Sequence, residues 1–440
     1  MKKLNLVIVG GGSTWTPGLL GSLVKFKEEF PLKKVTLYDI DAERQSHIGR
    51  FGEVLFREQY PDLEFNYTTD KDEAFNNVDF VFCQMRTGGL PMREKDEKVP
   101  LSLGLIGQET CGPGGFSYGM RSIRDMIELV EDVRSRSKDA WILNYTNPAA
   151  IVAVALNMKF PDDHRIINIC DQPVNLMKSY GKILGKDYHD FEPKYFGLNH
   201  FGWFTNLYDK DGKDLLPELR EIILKQGFAP EDAEQRDASW LETYGMVKDM
   251  LEDFPDYLPN TYLQYYLYPY YKLSKLDPNY TRANEVMDGR EKRVFAECDR
   301  IAEQGTLDNL EMVHNDAHAD MIVELALSIN SNLRKTFIII QENNGAVNNL
   351  PDDAMVELAA AVGSNGCEQY HFGNIDTFYK GLIENQYAFE KLTAEAYFEN
   401  SYQKALQALT LNRTVNSAKK AREVLDALIE MNGSYFPELR

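Results

Sequence analysis

Little in this 440-residue sequence points to a membrane, a nucleic acid or a disulfide-held scaffold. No apolar run approaches the roughly 20 residues that a membrane-spanning helix needs. Cysteine is sparse: Cys83, Cys111, Cys170, Cys298 and Cys367 are scattered, odd in number and form no CxxC pair. That excludes a disulfide framework and a zinc ribbon. Positive charge is also short, with 48 Lys and Arg against 68 Asp and Glu, a formal net charge of −20. Nucleic acid and anionic membrane are therefore poor partners. An anionic ligand would need arginines and backbone amides to reverse the field locally. There is no internal repeat and no low-complexity linker, so any domain boundary is a packed junction, where ligand sites tend to lie.

What is present is a globular composition, 43% hydrophobic and 26% charged. The length favours two domains over a single core. The opening "MKKLNLVIVGGG" imitates a signal peptide briefly. Glycines then interrupt it, acids and arginine follow, and no small-residue cleavage site appears. It reads as the first strand of a cytoplasmic protein. Strand patterns at "LNLVIV", "KKVTLYDID", "EFNYTTD", "VDFVFCQM", "AWILNYTNP" and "RIINICDQP" alternate with helical ones. This predicts an α/β fold, with an N-terminal Rossmann-type, doubly wound parallel sheet over 1–193. From Lys194, "KYFGLNHFGWFTNLYDKDGKDL" alternates and carries a Lys-Asp-Gly turn, which suggests an antiparallel hairpin. Residues 194–440 are expected to form an α+β domain. It holds an aromatic-rich loop, "LPNTYLQYYLYPYY", a late strand, "RKTFIIIQ", and a largely helical end.

Gly10, Gly11 and Gly12 lie between a strand and a helix, where glycine lets the backbone approach a pyrophosphate. Asp39 ends the next strand, 27 positions after Gly12, where a ribose-binding acid belongs. An aspartate there favours NAD over NADP. The pattern departs from G-x-G-x-x-G, with Trp15 in place of the third glycine. The bland alternative is a tight turn with no nucleotide.

In an open parallel sheet, ligands bind outside the carboxyl ends of the strands. Arg86, Arg93, Glu109, Asn147, Cys170 and Asp171 all fall there, and the hairpin adds Asn199 and His200. Singly, each has an ordinary explanation. Asn147 could cap a helix, Cys170 could be a small buried hydrophobe, and His200 a satisfied partly buried histidine. Three polar types on one rim argue otherwise. Cys170 and His200 suit a divalent metal as thiolate and imidazole donors. Two protein ligands are too few for a closed structural site, which leaves positions for substrate oxygens. His314 and His318 in "HNDAH" share the spacing of a metal-binding helix. They lack the Glu of H-E-x-x-H, however, and read better as a pair that caps or packs a helix.

Taken together, "GGGSTWTPG", "GQETCGPGG", "NYTNPAAIV", "NICDQP", "GLNHFGW", "LPNTYLQYY" and "TRANEVMDGRE" resemble glycoside hydrolase family 4, and within it the 6-phospho-α-glucosidases. The resemblance implies a fold like that of lactate and malate dehydrogenases, with NAD and a divalent metal, typically Mn²⁺, as cofactors. It implies hydrolysis of 6-phospho-α-glucosides such as maltose 6′-phosphate by oxidation at C3, proton removal at C2, elimination and water addition, outside the two-carboxylate scheme. Carried over by motif, Cys170 and His200 resemble the metal ligands, Asp171 the general acid and Tyr262 the base at C2. Tyr265 and Tyr266 are nearby competitors for that last role. Asn147 resembles the residue that holds the C2 and C3 hydroxyls, Arg93 and Arg282 the phosphate clamp, and Glu109 a sugar-hydroxyl contact. Gly10, Gly11, Gly12, Ser13, Thr14, Asp39 and Arg86 fall to the dinucleotide. A homodimer or homotetramer is implied as well. Cys170-Asp171 matches the α-specific members, where β-specific ones have Cys-Asn. Gln172 departs from their usual methionine, which bears on the aglycone. The rival readings are a 6-phospho-β-glucosidase or unphosphorylated α-glycosidase of the same family, a simple dehydrogenase, and a sugar-sensing protein with a degenerate site.

Overall fold

The computed structural model describes residues 2–311 and 317–440. His314 and Asp316 of the "HNDAH" run lie outside the described residues, as does the side chain of His318. Among the described residues, twelve strands follow in chain order: β1 Leu4–Val9, β2 Leu32–Tyr38, β3 Glu64–Thr68, β4 Phe80–Cys83, β5 Trp141–Asn144, β6 Ile166–Asn168, β7 Glu192–Leu198, β8 Phe201–Tyr208, β9 Leu258–Pro259, β10 Lys335–Glu342, β11 Met355–Gly363 and β12 Gly366–Gln369. Nine of them form one sheet in the order β12-β11-β10-β6-β5-β4-β1-β2-β3. β3 to β6 run in the doubly wound order 3-2-1-4-5-6, and every pair among these six is parallel. Their sequences explain this. β4 (FVFC) and β5 (WILN) are buried along their whole length, as strands covered by helices on both faces must be.

The sheet does not stop at Lys194. β10, β11 and β12, from the far half of the chain, extend it antiparallel beyond β6. The expectation of a largely helical end misses β11 and β12. β11 (MVELAAAVG) is buried at every position, and its alanine run carries no alternating pattern from which a strand could be read. A second sheet joins β7, β8 and β9. Its hairpin turns at Asn199-His200, with His200 at φ 60. The Lys210-Asp211-Gly212 turn lies just after it, closed by a Tyr208–Asp214 bridge. The aromatic-rich segment is not a loop. It folds as short helices, Leu263–Leu267 and Pro269–Lys275, because buried Leu263 and Tyr266 pack into the main core.

This topology positions a site. The strand order reverses between β1 and β4, and the crevice beyond their carboxyl ends is the switch point of the fold. The glycine loop, Gln84 to Arg86, Asn147 and Cys170-Asp171 all emerge on that rim. The second sheet brings the Asn199-His200 turn against it.

Candidate active site

A cleft of about 1500 Å³ opens over this rim. It is lined by Gly10, Ser13, Thr14, Asp39, Arg86, Arg93, Glu109, Asn147, Cys170, Asp171, His200, Tyr262 and Arg282. Of the described residues singled out from the sequence, Gly11, Gly12, Asn199 and Tyr266 do not line it.

The glycine loop is built by close backbone packing. Gly10 and Gly11 both donate N–H bonds to the Tyr38 carbonyl, at 2.9 and 3.0 Å. Gly10 sits at φ 81, and a Cβ there would come within 2.9 Å of the Gln84 carbonyl oxygen. Only glycine meets both demands. Gly12 N–H donates to Asp39 Oδ2 at 2.9 Å, so the end of β2 and the loop are tied together. Burial raises the Asp39 carboxyl above its ordinary value. The Gly12 and Asp41 amides and the charge of Arg44 work against that rise. The cradle fits a dinucleotide, since bare backbone at a helix start faces the cleft with an acid at its edge.

On the opposite wall, Cys170 Sγ lies 3.4 Å from His200 Nε2, with both residues buried. Thr110 Oγ1 is 3.2 Å from His200 Nδ1. The second ring nitrogen thus has its own partner, as metal-binding imidazoles require. Burial pushes His200 down to about 4, against the charges of Asp171 and Glu109, so the ring is neutral. Burial also raises the Cys170 thiol, and the charges of Asp171 and Glu357 add to it. A neutral imidazole and a thiol that converge on one point are a donor pair for a borderline divalent cation. Among the described residues, no group of three or more His, Cys, Asp or Glu could hold a metal. The pair therefore fits an open site with positions for substrate oxygens, not a closed one.

Asp171 begins the helix Gln172–Leu184, and Asn175 Nδ2 donates to its Oδ2 at 2.8 Å. The Tyr262 ring is stacked on His200, with centroids 3.9 Å apart and planes 3° apart. Burial and nearby negative charges, Glu109 first, hold the Tyr262 hydroxyl well above its ordinary value. Any role as a base therefore needs a cation beside it. Gln172 is buried and donates to Thr261 Oγ1 at 2.6 Å. It joins the acid's helix to the loop that carries Tyr262. Asn147 does not cap the following helix, which starts at Ala149 with Pro148 at its cap position. The capping explanation fails, and Asn147 faces the cleft.

The arginines are more committed than the sequence suggested. Arg86 Nη1 pairs with Glu109 Oε2 at 2.6 Å, and Arg93 Nη2 with Glu109 Oε1 at 3.1 Å. Arg93 is buried and also donates to Glu97 at 2.9 Å. Burial alone would raise the Glu109 carboxyl, but Arg86 and Arg93 outweigh it and bring it down to about 2. Arg282 pairs with Asp237 and, at 2.6 Å, with Glu285.

Glu357, in the middle of β11, escaped the sequence reading. It is fully buried and accepts from Asn199 Nδ2 at 2.9 Å and from the Tyr195 hydroxyl at 3.0 Å. Asn260 Nδ2 donates to that hydroxyl at 3.4 Å, and its Oδ1 accepts the Tyr262 amide at 3.0 Å. One carboxylate thus braces the residue beside His200 and, through two side chains, the backbone of Tyr262. A Cβ on Gly202 would come within 2.3 Å of the Tyr195 oxygen, so the glycine makes room for the relay. The available signal was an acid inside an otherwise apolar run, "MVELAAAVG".

Burial raises Glu357 to about 7 from 4.5, with the Asn199 and Tyr195 bonds opposing. A carboxyl raised on folding stabilises most below its unfolded pKa and loses that contribution as pH climbs through the folded one. Glu357→Gln should remove this loss. Between pH 5 and 7, metal-free wild type should lose about 2 kcal/mol relative to the variant. Urea denaturation of both proteins at pH 5, 6 and 7 measures this, and parallel stability curves would refute it.

Two family models match the chain, the family 4 glycosyl hydrolase over residues 5–186 and the family 4 glycosyl hydrolase C-terminal domain over 195–415. A phospho-alpha-glucosidase of Clostridium acetobutylicum is 51% identical, with all of both chains covered. A 6-phospho-alpha-glucosidase from gut microorganisms, solved in complex with NAD and Mn²⁺, is 58% identical with a TM-score of 0.98 over all of both chains. A second 6-phospho-alpha-glucosidase from gut microorganisms, solved in complex with NAD and glucose 6-phosphate, is 43% identical with a TM-score of 0.96, again over all of both chains.

Proposed function

The chain belongs to glycosyl hydrolase family 4, and on that premise we propose that it hydrolyses 6-phospho-α-D-glucosides, maltose 6′-phosphate among them, to glucose 6-phosphate. The observation that carries this reading is the convergence of Cys170 and His200, 3.4 Å apart, beside Asp171 and across one cleft from the glycine loop. The similar enzymes solved with NAD, Mn²⁺ and glucose 6-phosphate support the cofactors and the sugar. Asp171 after Cys170 supports the α-anomer.

Gly10, Gly11, Gly12, Ser13, Thr14 and Asp39 would hold the dinucleotide, and Cys170 and His200 the metal. When bound, these groups supply a hydride acceptor and donor for the sugar's C3 and a positive charge for its C2 and C3 oxygens. The remaining work belongs to side chains. Asn147 orients the two hydroxyls. Tyr262 takes the proton from C2, made acidic by the neighbouring ketone. Asp171 gives a proton to the departing C1 oxygen as that bond breaks. Water then adds at C1 and Tyr262 returns the proton to C2; with the hydride that a bound NAD would give back to C3, no net oxidation would remain. Arg93 and Arg282 would help hold the 6-phosphate, Glu109 would contact a sugar hydroxyl, and Arg86 would contact the dinucleotide. A homodimer or homotetramer and a cytoplasmic location belong to the same reading, and sedimentation velocity reads the first.

The test is release of p-nitrophenol from p-nitrophenyl α-D-glucopyranoside 6-phosphate. Release should require both NAD and Mn²⁺, without NADH accumulating, and should exceed that from the β-anomer and from the unphosphorylated sugar. NADH building up without nitrophenol would instead make the protein a dehydrogenase.

A further inference from the structure

Of the arginines that line the cleft, Arg86, Arg93, Arg282 and Arg290 lie close enough for the first three to act on the charge of the fourth, and those three are already engaged. Arg86 and Arg93 share Glu109, Arg93 also holds Glu97, and Arg282 holds Asp237 and Glu285. The fourth, Arg290, makes no ion pair among the described residues. Its Nε is buried without a hydrogen-bond partner. The guanidinium lies 4.4 Å over the ring of Trp15, the residue that opens the helix after the glycine loop. It sits on a turn of π-helix, Val286–Glu291, a local irregularity that often accompanies a functional site. Burial and the charges of Arg93 and Arg282 pull its pKa down to about 9, only partly offset by Glu109. A buried donor without an acceptor is costly to keep. A cation pressed against other cations is costly for a second reason, and an arriving anion would relieve both.

We propose that Arg290 is the specificity-determining residue for the phosphorylated sugar. Its guanidinium takes the 6-phosphate of the substrate, while Arg93 and Arg282 stay bound to their carboxylates and shape the pocket around it. The inference rests on the functional reading above and adds to it the residue that supplies unneutralised charge. Trp15 holds the guanidinium plane in place by stacking. In a protein of net charge −20, one uncommitted guanidinium among three neutralised ones is where selection for a dianion would be strongest.

The phosphate could in principle belong to the dinucleotide, because Trp15 follows the glycine loop. The experiment separates the two sources. In the full-length protein, glucose 6-phosphate and NAD are titrated separately by calorimetry into wild type, Arg290→Met and Arg290→Lys. Nitrophenyl phosphosugar turnover is followed in parallel. Arg290→Met should weaken glucose 6-phosphate binding and raise KM by about 10- to 100-fold, as loss of a charged hydrogen bond predicts. The Kd for NAD should move less than threefold. Arg290→Lys keeps a charge but loses the planar fork and the stacking, so a loss of about three- to tenfold is expected. Unchanged glucose 6-phosphate affinity in either variant overturns the proposal. So does a loss of NAD affinity equal to the loss for the sugar. Should Arg290→Met fail to fold, the lysine variant decides alone. Absence of wild-type turnover would count against the functional reading, whereas the binding titrations test Arg290 without turnover.

Discussion

Asp171→Asn should lower turnover of maltose 6′-phosphate by about 100- to 10,000-fold, the usual contribution of a general acid. On p-nitrophenyl α-D-glucopyranoside 6-phosphate the same variant should lose less than about tenfold, because nitrophenolate departs without protonation. The geometry makes the comparison clean. Asp171 is placed by the start of the helix Gln172–Leu184 and by the 2.8 Å bond from Asn175 Nδ2, and an asparagine oxygen can still accept that bond. The shape of the site is then preserved while the exchangeable acidic proton is lost. Steady-state kinetics on both substrates decides the matter. Equal losses on the two would remove Asp171 from the acid role and assign it to positioning.

The second large effect is expected at the thiol. Cys170→Ser should reduce Mn²⁺-dependent turnover by about a thousandfold or more, since metal charge stabilisation accounts for several kcal/mol of the barrier. A hydroxyl is a much weaker donor than a thiolate for a borderline cation. The Kd for NAD, read by quenching of tryptophan fluorescence, should change less than threefold, because the glycine loop is built from β1 and β2 on the other wall. Mn²⁺ affinity, read by electron paramagnetic resonance of the free ion, should fall in step with activity. Turnover that survives with unchanged Mn²⁺ affinity would show that the thiol is only buried packing, the ordinary role of such a cysteine.

Much of this site was legible in the chain because it uses local rules. Gly10 to Gly12 stand between a β-branched run and a helical one, and Asp39 ends the next strand. That spacing follows from the length of one βαβ unit. Cys170-Asp171 and Asn147 end strands, and parallel topology sends every strand end to the same rim. Alternation revealed the hairpin that carries His200, but its turn is at Asn199-His200 and not at the Lys210-Asp211-Gly212 turn that the sequence pointed to. The aromatic segment around Tyr262 was the exception. Its short helices exist because Leu263 and Tyr266 are buried by distant parts of the fold, and nothing in "LPNTYLQYYLYPYY" itself signals that.

The sequence alone determined the first six strands with the helices between them, the rim on which the polar residues gather, the glycine cradle and the identity of the thiol, imidazole and carboxyl. Each of these depends on periodicity, turn chemistry or residue type, which neighbours along the chain express. The tertiary structure alone decided which charges are already neutralised and which are free. Glu357 reaches Asn199 across 158 positions and reaches Asn260 through the Tyr195 hydroxyl. Arg93 is held by Glu109, while Arg290 rests on Trp15 with no carboxylate paired to it among the described residues. A buried charge acquires its meaning from the partner that desolvation forces it to find, and that partner lies wherever the fold, not the sequence, has placed it.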